Sequence, residues 1–304
     1  MGKTAFIFPG QGAQYVGMAK DFYDAFPVCR EVFALASQAS GLDVEALCFE
    51  ENEQIHITEY TQIAMIAAEI AMWKAVEEKG YHADVTAGLS LGEYGALAVS
   101  GVMSLEDIFK LVRGRGIFMQ EAVPTGGAMT AVIGLDTAVI EQICEEAEGI
   151  VSIANYNCPG QIVITGEEQA VNAAAEKLAA AGARRCIPLK VSGPFHSAML
   201  AGAGEKLGMQ LATVELQEMK VPYLANVTGD YVTDVAQVKG LLKEQVASSV
   251  RWQQCVERMI ADGVDTFVEI GPGKTLTGFM KKINKTVKSI NIEKAEDLEK
   301  LAAI

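Results

Sequence analysis

A short apolar run, Thr4–Phe8, stops at Pro9-Gly10-Gln11-Gly12. A run this brief, with punctuation directly after it, reads as a buried strand ending in a tight loop that glycine permits. Apolar residues then recur at helical spacing around Met18–Ala25, Arg30–Ala39 and Gln62–Glu78, the last stopped by Gly80. Asp84–Gly88 reads as a second short strand, followed by a helix over Leu91–Val99 that ends near Gly101. Ser104-Leu105-Glu106-Asp107 has the spacing of a helix cap and opens a helix to about Ala122. Strands alternating with helices predict an α/β fold with a mostly parallel sheet covered on both faces.

The pattern changes after Pro124-Thr125-Gly126-Gly127. Strands are expected at Ala128–Ile133, Ile150–Asn155, Gln161–Thr165 and Arg184–Pro188, with helices at Thr137–Ala147 and Glu168–Ala181. The order β-α-β-β-α-β is the ferredoxin-like arrangement. Residues 126–189 therefore read as a small domain inserted between 1–125 and 190–304. Beyond it the alternating α/β pattern resumes, with a strand at Asp265–Ile270 stopped by Gly271-Pro272-Gly273.

At 304 residues, 50% hydrophobic and 21% charged, the chain is expected to be a soluble globular enzyme. Its net charge of −14 argues against nucleic acid, because phosphate contacts need a basic face. No apolar run is long enough to span a membrane. Met1-Gly2-Lys3-Thr4-Ala5-Phe6 is too short a charged lead to be a signal peptide, and it lacks the Ser or Thr of a myristoylation signal. The six cysteines (Cys29, Cys48, Cys144, Cys158, Cys186, Cys255) are scattered without a CxxC pair and read as reduced core thiols. With three histidines, none at ligand spacing, no metal is expected. The expected location is cytoplasmic. No heptad or edge signal demands a second copy, so a monomer is expected.

Gly88-Leu89-Ser90-Leu91-Gly92 carries the first chemical signal. It follows an expected strand and opens an expected helix, the context of a nucleophile elbow. Such a turn exposes the serine hydroxyl, small residues flanking it let neighbouring backbone pass, and the helix N-terminus faces the developing charge. Outside that context GxSxG arises by chance. Three histidines compete as its base. His56 lies in a polar stretch and reads as a surface residue, and His82 sits at the wrong end of the strand leading to Ser90. His196 lies in the loop Ser192-Gly193-Pro194-Phe195-His196-Ser197 and follows the nucleophile in chain order, which favours it. A third, acidic member is not readable: Asp107, Asp136 and Glu141 all belong to helices or their caps. Gly10-Gln11-Gly12 fails the dinucleotide fingerprint, and Gly273-Lys274-Thr275 fails the Walker pattern because position 268 is Val268. Arg113 and Arg115 lie in an apolar helix, where an arginine either grips a planar anion or lines a solvated face.

Six stretches taken together resemble malonyl-CoA:acyl carrier protein transacylases and the related acyltransferase domains of fatty-acid and polyketide synthases. They are Phe8-Pro9-Gly10-Gln11-Gly12-Ala13-Gln14, Gly88-Leu89-Ser90-Leu91-Gly92-Glu93-Tyr94, and Arg115-Gly116-Ile117-Phe118-Met119-Gln120. Asn155-Tyr156-Asn157-Cys158-Pro159-Gly160-Gln161, Gly193-Pro194-Phe195-His196-Ser197 and Glu269-Ile270-Gly271-Pro272-Gly273-Lys274 complete the set, in family order. The resemblance implies an α/β-hydrolase-like core with a ferredoxin-like insert. It implies Ser90 as nucleophile, His196 as base, and the backbone carbonyl of Gln245 in place of a triad acid. It further implies an oxyanion hole from the N–H groups of Gln11 and Leu91, and Arg115 on the free carboxylate of malonate. Asn157, Phe195 and Met119 would line the pocket, Phe195 being the malonyl-preferring residue of its loop. Malonyl-CoA would be the substrate, acyl carrier protein the partner, and no cofactor would be needed. The family habit of free-standing chains points to a bacterium.

Two rivals stand beside this reading: a serine thioesterase or esterase with the same elbow, and a silent acyl-CoA or carrier-protein binding module. Carrier proteins are acidic, and so is this chain, so docking requires a local basic patch. The candidates are Arg184-Arg185 with Lys190, and Lys281-Lys282 with Lys285 and Lys288.

Overall fold

The computed structural model describes residues 2–191 and 193–304; Met1, and Ser192 of the loop before His196, lie outside the described residues. Strands β1 (Lys3–Phe8) and β2 (Val85–Gly88) come first, followed by β3 (Gly127–Ile133), β4 (Val151–Cys158), β5 (Gln161–Glu167) and β6 (Arg185–Pro188). A short ribbon of β7 (Leu224–Ala225) and β8 (Asp230–Tyr231) precedes β9 (Val264–Ile270) and β10 (Lys288–Ile292). The main sheet has the order β10-β9-β1-β2, and every pairing in it is parallel. A second sheet, order β4-β5-β3-β6, is antiparallel throughout.

The continuous apolar run of β1 has a direct packing cause. Phe6 and Phe8 enter one hydrophobic cluster, while Ala5 and Ile7 enter another on the opposite side. A strand whose alternate side chains meet two cores has no polar face to alternate with. Likewise the helix Thr58–Glu78 is buried on nearly every side, including Thr58, Thr61 and Gln62. It starts earlier than the expected Gln62, and the Thr61 hydroxyl donates to the carbonyls of Ile55 and Ile57 at that end.

Several boundaries differ from the sequence expectation for local reasons. The first helix begins at Lys20, not Met18, because Ala19 sits in the left-handed region at φ 62°. The Asp84 carboxylate accepts the Thr4 N–H at 2.8 Å, and β2 starts after it. The expected helix Leu91–Val99 is a 3₁₀ turn, Ser90–Gly92, and then an α-helix, Glu93–Ser100. Ser104 does cap Leu105–Ala122, accepting the Asp107 N–H at 3.1 Å. β4 runs past Asn155 to Cys158 through two register shifts, which keep two asparagines within the sheet.

Of the last third, periodicity predicts one strand; the structure adds the helices Ala201–Ala212, Val238–Gln245 and Trp252–Ala261 before it in the chain and Thr275–Ile283 after it. The small sheet is stitched to this part by backbone. The Tyr156 N–H donates to Val250 O at 2.9 Å, and the Val250 N–H to Ala154 O at 2.8 Å. All six cysteines are free.

Candidate active site

Ser90 follows the C-terminal end of β2, beside the loop that follows β1, where parallel sheets place their ligands. Its φ of 53° puts a non-glycine residue in the left-handed region, a strain of about 1–3 kcal/mol that surrounding structure must hold. The two flanking glycines make the turn sterically possible. A Cβ on Gly88 would lie 1.9 Å from Gly92 O, and one on Gly92 would lie 2.2 Å from Phe8 O. The elbow can therefore press against the end of β1. The Asn226 side chain clamps it from behind, accepting the Ser90 N–H at 2.6 Å and donating to Gly88 O at 2.7 Å.

His196 reaches Ser90 Oγ through Nε2 at 2.7 Å. Its Nδ1 lies 2.8 Å from the backbone carbonyl of Gln245. A carbonyl only accepts, so Nδ1 carries the proton and Nε2 is left as the acceptor for the serine hydroxyl. No acid is required for that arrangement. Asp107 is tied to Ser104, Asp136 caps a helix and Glu141 accepts the Tyr156 hydroxyl, each away from this line. His196 is 4% exposed and also adopts a left-handed φ, 62°, so the residue expected on a displayed loop is in fact buried.

Burial, and then the Arg115 charge, push the His196 pKa down to about 4. The imidazole is thus neutral, and competent as a base, across the neutral range. Protonation removes the base, so kcat/KM should fall only as the pH drops toward about 4. A rapid-mixing pH profile of enzyme acylation checks this, and an acid limb centred at or above the ordinary histidine value, about 6.5, would contradict the buried site.

Arg115, 1% exposed, is the charged group at Ser90. Its Nη2 donates to Ser90 Oγ at 3.2 Å and to Gln245 Oε1 at 3.0 Å, and Nη1 to Gln62 Oε1 at 2.8 Å. All three partners are neutral. Nε is buried without a partner, and the Tyr94 ring lies 5.7 Å from the guanidinium carbon. Among the described residues this is a buried cation with a donor to spare and no anion in direct contact, an environment that favours a carboxylate. Arg113, by contrast, is paired with Glu59 at 3.0 Å and lies over the Tyr60 ring, which removes it from the ligand question.

A cavity of about 580 Å³ opens onto these groups. Gln11, Leu91, Met119, Asn157 and Phe195 all line it together with Ser90, Arg115 and His196. Leu91 is the second residue of the 3₁₀ turn that Ser90 opens, where the first N–H groups of a helix lack intrahelical acceptors. Gln11 is anchored through its side chain, which donates to Thr58 Oγ1 at 3.0 Å. Gln245 enters by its carbonyl, as the resemblance implies, and also by its side chain, which the sequence reading did not foresee. Met129, Asn155 and Val163 of the small sheet cover the other side of the cavity. His56 is exposed as expected, yet it too borders this cavity. His82 is exposed on the loop before β2.

Sequence reasoning missed three supporting residues. Gln62 and Glu93 are polar residues inside buried helices, a signal that was legible; Asn226, between β7 and β8, shows none beyond a turn-rich stretch.

Comparison with known proteins shows the family. The acyl transferase domain profile matches residues 5–302. The malonyl CoA-acyl carrier protein transacylase of Bacillus subtilis (strain 168) is 42% identical over 304 residues, covering 98% of this chain and 96% of that protein. The crystal structure of malonyl CoA-acyl carrier protein transacylase from Clostridium perfringens superposes with a TM-score of 0.96 at 45% identity, covering 99% of this chain and 96% of that one. A type II PKS acyl-carrier protein in complex with its malonyl-transacylase gives a TM-score of 0.94 at 40% identity, with 98% of each chain covered.

Proposed function

Because the chain belongs to the acyl transferase domain family, we propose that Ser90 carries a malonyl ester between two thiols, the intermediate of a ping-pong transfer. The activity is malonyl transfer from coenzyme A to acyl carrier protein, in fatty-acid or polyketide synthesis. The observation that carries the mechanism is the unbroken line from the Gln245 carbonyl through His196 to Ser90 Oγ, with the Arg115 guanidinium at the same oxygen.

His196 Nε2 takes the hydroxyl proton as Ser90 Oγ attacks the malonyl thioester. The Gln11 and Leu91 N–H groups hold the oxyanion, a contribution of about 3–4 kcal/mol per donor in comparable sites. The C–S bond breaks, and the coenzyme A thiolate takes the proton back from His196. The pantetheine thiol of the carrier protein then enters, gives its proton to His196, and reverses the sequence. The malonate carboxylate supplies the anion that buried Arg115 lacks, selecting a dicarboxylic acyl group. Phe195, Met119 and Asn157 shape the space around it.

We read residues 126–189 as a ferredoxin-like domain inserted into an α/β-hydrolase-like core made of 1–125 and 190–304. The β-α-β-β-α-β order and the antiparallel sheet order β4-β5-β3-β6 support this. The proposed protein is a cytoplasmic monomer that needs no cofactor, coenzyme A thioester being substrate.

Of the two basic clusters, Arg184-Arg185 with Lys190 is the better placed for the carrier protein. Lys190 lines the cavity, and exposed Ile187, Leu189 and Val191 lie along the same segment. In the other cluster, Lys282 donates to Gln161 and Lys288 to Ala303 O. Reversing the charges of Arg184, Arg185 and Lys190 should raise the apparent KM for carrier protein while sparing coenzyme A thioester. Steady-state kinetics on both substrates check this, and equal effects on both would discount the patch.

The functional reading as a whole is tested by intact-protein mass after brief mixing with malonyl-CoA or acetyl-CoA. A malonyl adduct that persists alone and disappears when carrier protein is added is expected. Steady release of free coenzyme A without an adduct would indicate a hydrolase instead.

A further inference from the structure

We propose that Glu93 is a positioning residue for malonyl selectivity, acting on Arg115 through the side-chain amide of Gln245; this rests on the function proposed above. Glu93 opens the helix behind the nucleophile and is buried. Its Oε2 accepts from Gln245 Nε2 at 2.7 Å and from the Asn226 N–H at 3.1 Å. Gln245 Nε2 also donates to Ser90 O at 3.0 Å and faces Asn226 Oδ1 at 3.4 Å.

Every neighbour of that nitrogen is an acceptor, so the amide has one permitted orientation. Flipped, it would set its oxygen against three oxygens and its N–H₂ against the Arg115 donors. Held as it is, Oε1 faces Arg115 Nη2, the same nitrogen that reaches Ser90 Oγ. The carboxylate therefore fixes the direction of the guanidinium from two hydrogen bonds away. Tyr94 and Glu93 are the acidic neighbours that act on Arg115, and burial raises the Glu93 pKa to about 7. Backbone and side chain of Gln245 divide the labour: the carbonyl serves His196 in any residue, whereas the amide is specific to glutamine and serves Arg115.

This division gives the test. Malonyl and acetyl acylation rates would be measured side by side for the parent, Glu93→Gln, Glu93→Leu, Gln245→Ala and the Glu93→Leu/Gln245→Ala pair, with Tm for each. Glu93→Leu should lower the malonyl-over-acetyl preference at least about tenfold, the scale of one charge-assisted hydrogen bond. Glu93→Gln, which keeps an acceptor oxygen for Gln245, should largely restore it. Once Gln245 is alanine, the Glu93 change should shift the preference no further. A role in folding alone would reduce both acyl donors in proportion and leave their ratio unchanged; that result overturns the inference. So does an additive effect in the pair. Should Glu93→Leu not fold, Gln245→Ala tests the same relay, and an unchanged donor ratio there overturns it. A parent that fails to distinguish the two donors would instead refute the proposed function, which the parent measurement shows by itself.

Discussion

Ser90→Ala is expected to form no malonyl adduct on intact-mass analysis and to turn over slower by a factor on the order of 10⁶, the loss seen when a serine–histidine pair loses its nucleophile. The expectation rests on geometry particular to Ser90. Its Oγ lies within hydrogen-bonding reach of both a neutral base and a buried guanidinium. The six cysteines offer no substitute nucleophile: burial pushes the pKa of every one up, which disfavours the thiolate. Because Ser90 and His196 act as a unit, adding His196→Ala to Ser90→Ala should slow the enzyme little further. An adduct that survives on the alanine variant would place the ester elsewhere and remove the mechanism.

Arg115→Ala should act differently, with selectivity lost before chemistry. Removing one partner of a buried, hydrogen-bonded charge pair costs about 2–5 kcal/mol, so malonyl acylation should fall by about 30- to 5,000-fold. Acetyl has no carboxylate to lose and should be spared, turning the donor preference toward it. The same variant should move the pH profile. The Arg115 charge helps hold the His196 pKa down at about 4, so its removal lets that pKa rise and shifts the acid limb of acylation to higher pH. Acylation rates with both donors across pH test the two effects together. An unchanged acyl preference would sink the assignment of Arg115, and an unmoved acid limb would separate its charge from the base.

The fold was largely legible up to Pro188 because its elements bury complete faces. A strand such as β1, feeding a hydrophobic cluster on each side, leaves an uninterrupted apolar run, and the glycines around Ser90 mark a turn nothing larger can make. Beyond Leu200 the helices are short, and their boundaries depend on contacts with the rest of the chain, so periodicity alone named only the strand before Gly271. The elbow serine was readable because its constraint is local. His196 was readable by eliminating the other two histidines, with no sign that its imidazole would be buried.

The sequence by itself thus determined the α/β order, the β-α-β-β-α-β run of elements, the elbow at Ser90 and the choice of His196 among three histidines, all features set by neighbours a few residues away or by which residue types are present at all. The residues themselves left open the choice between Arg113 and Arg115 and the partner of the imidazole, which the resemblance supplied; only the tertiary structure brought Arg115 and the Gln245 carbonyl to Ser90 and His196 and joined Gln62, Glu93 and Asn226 to the site. The physical reason is range. A backbone carbonyl is present at every position and carries no residue signature, and hydrogen bonds such as Arg115 to Gln245 close over 130 residues of chain. Their existence depends on how sheets and helices pack, which no local pattern records.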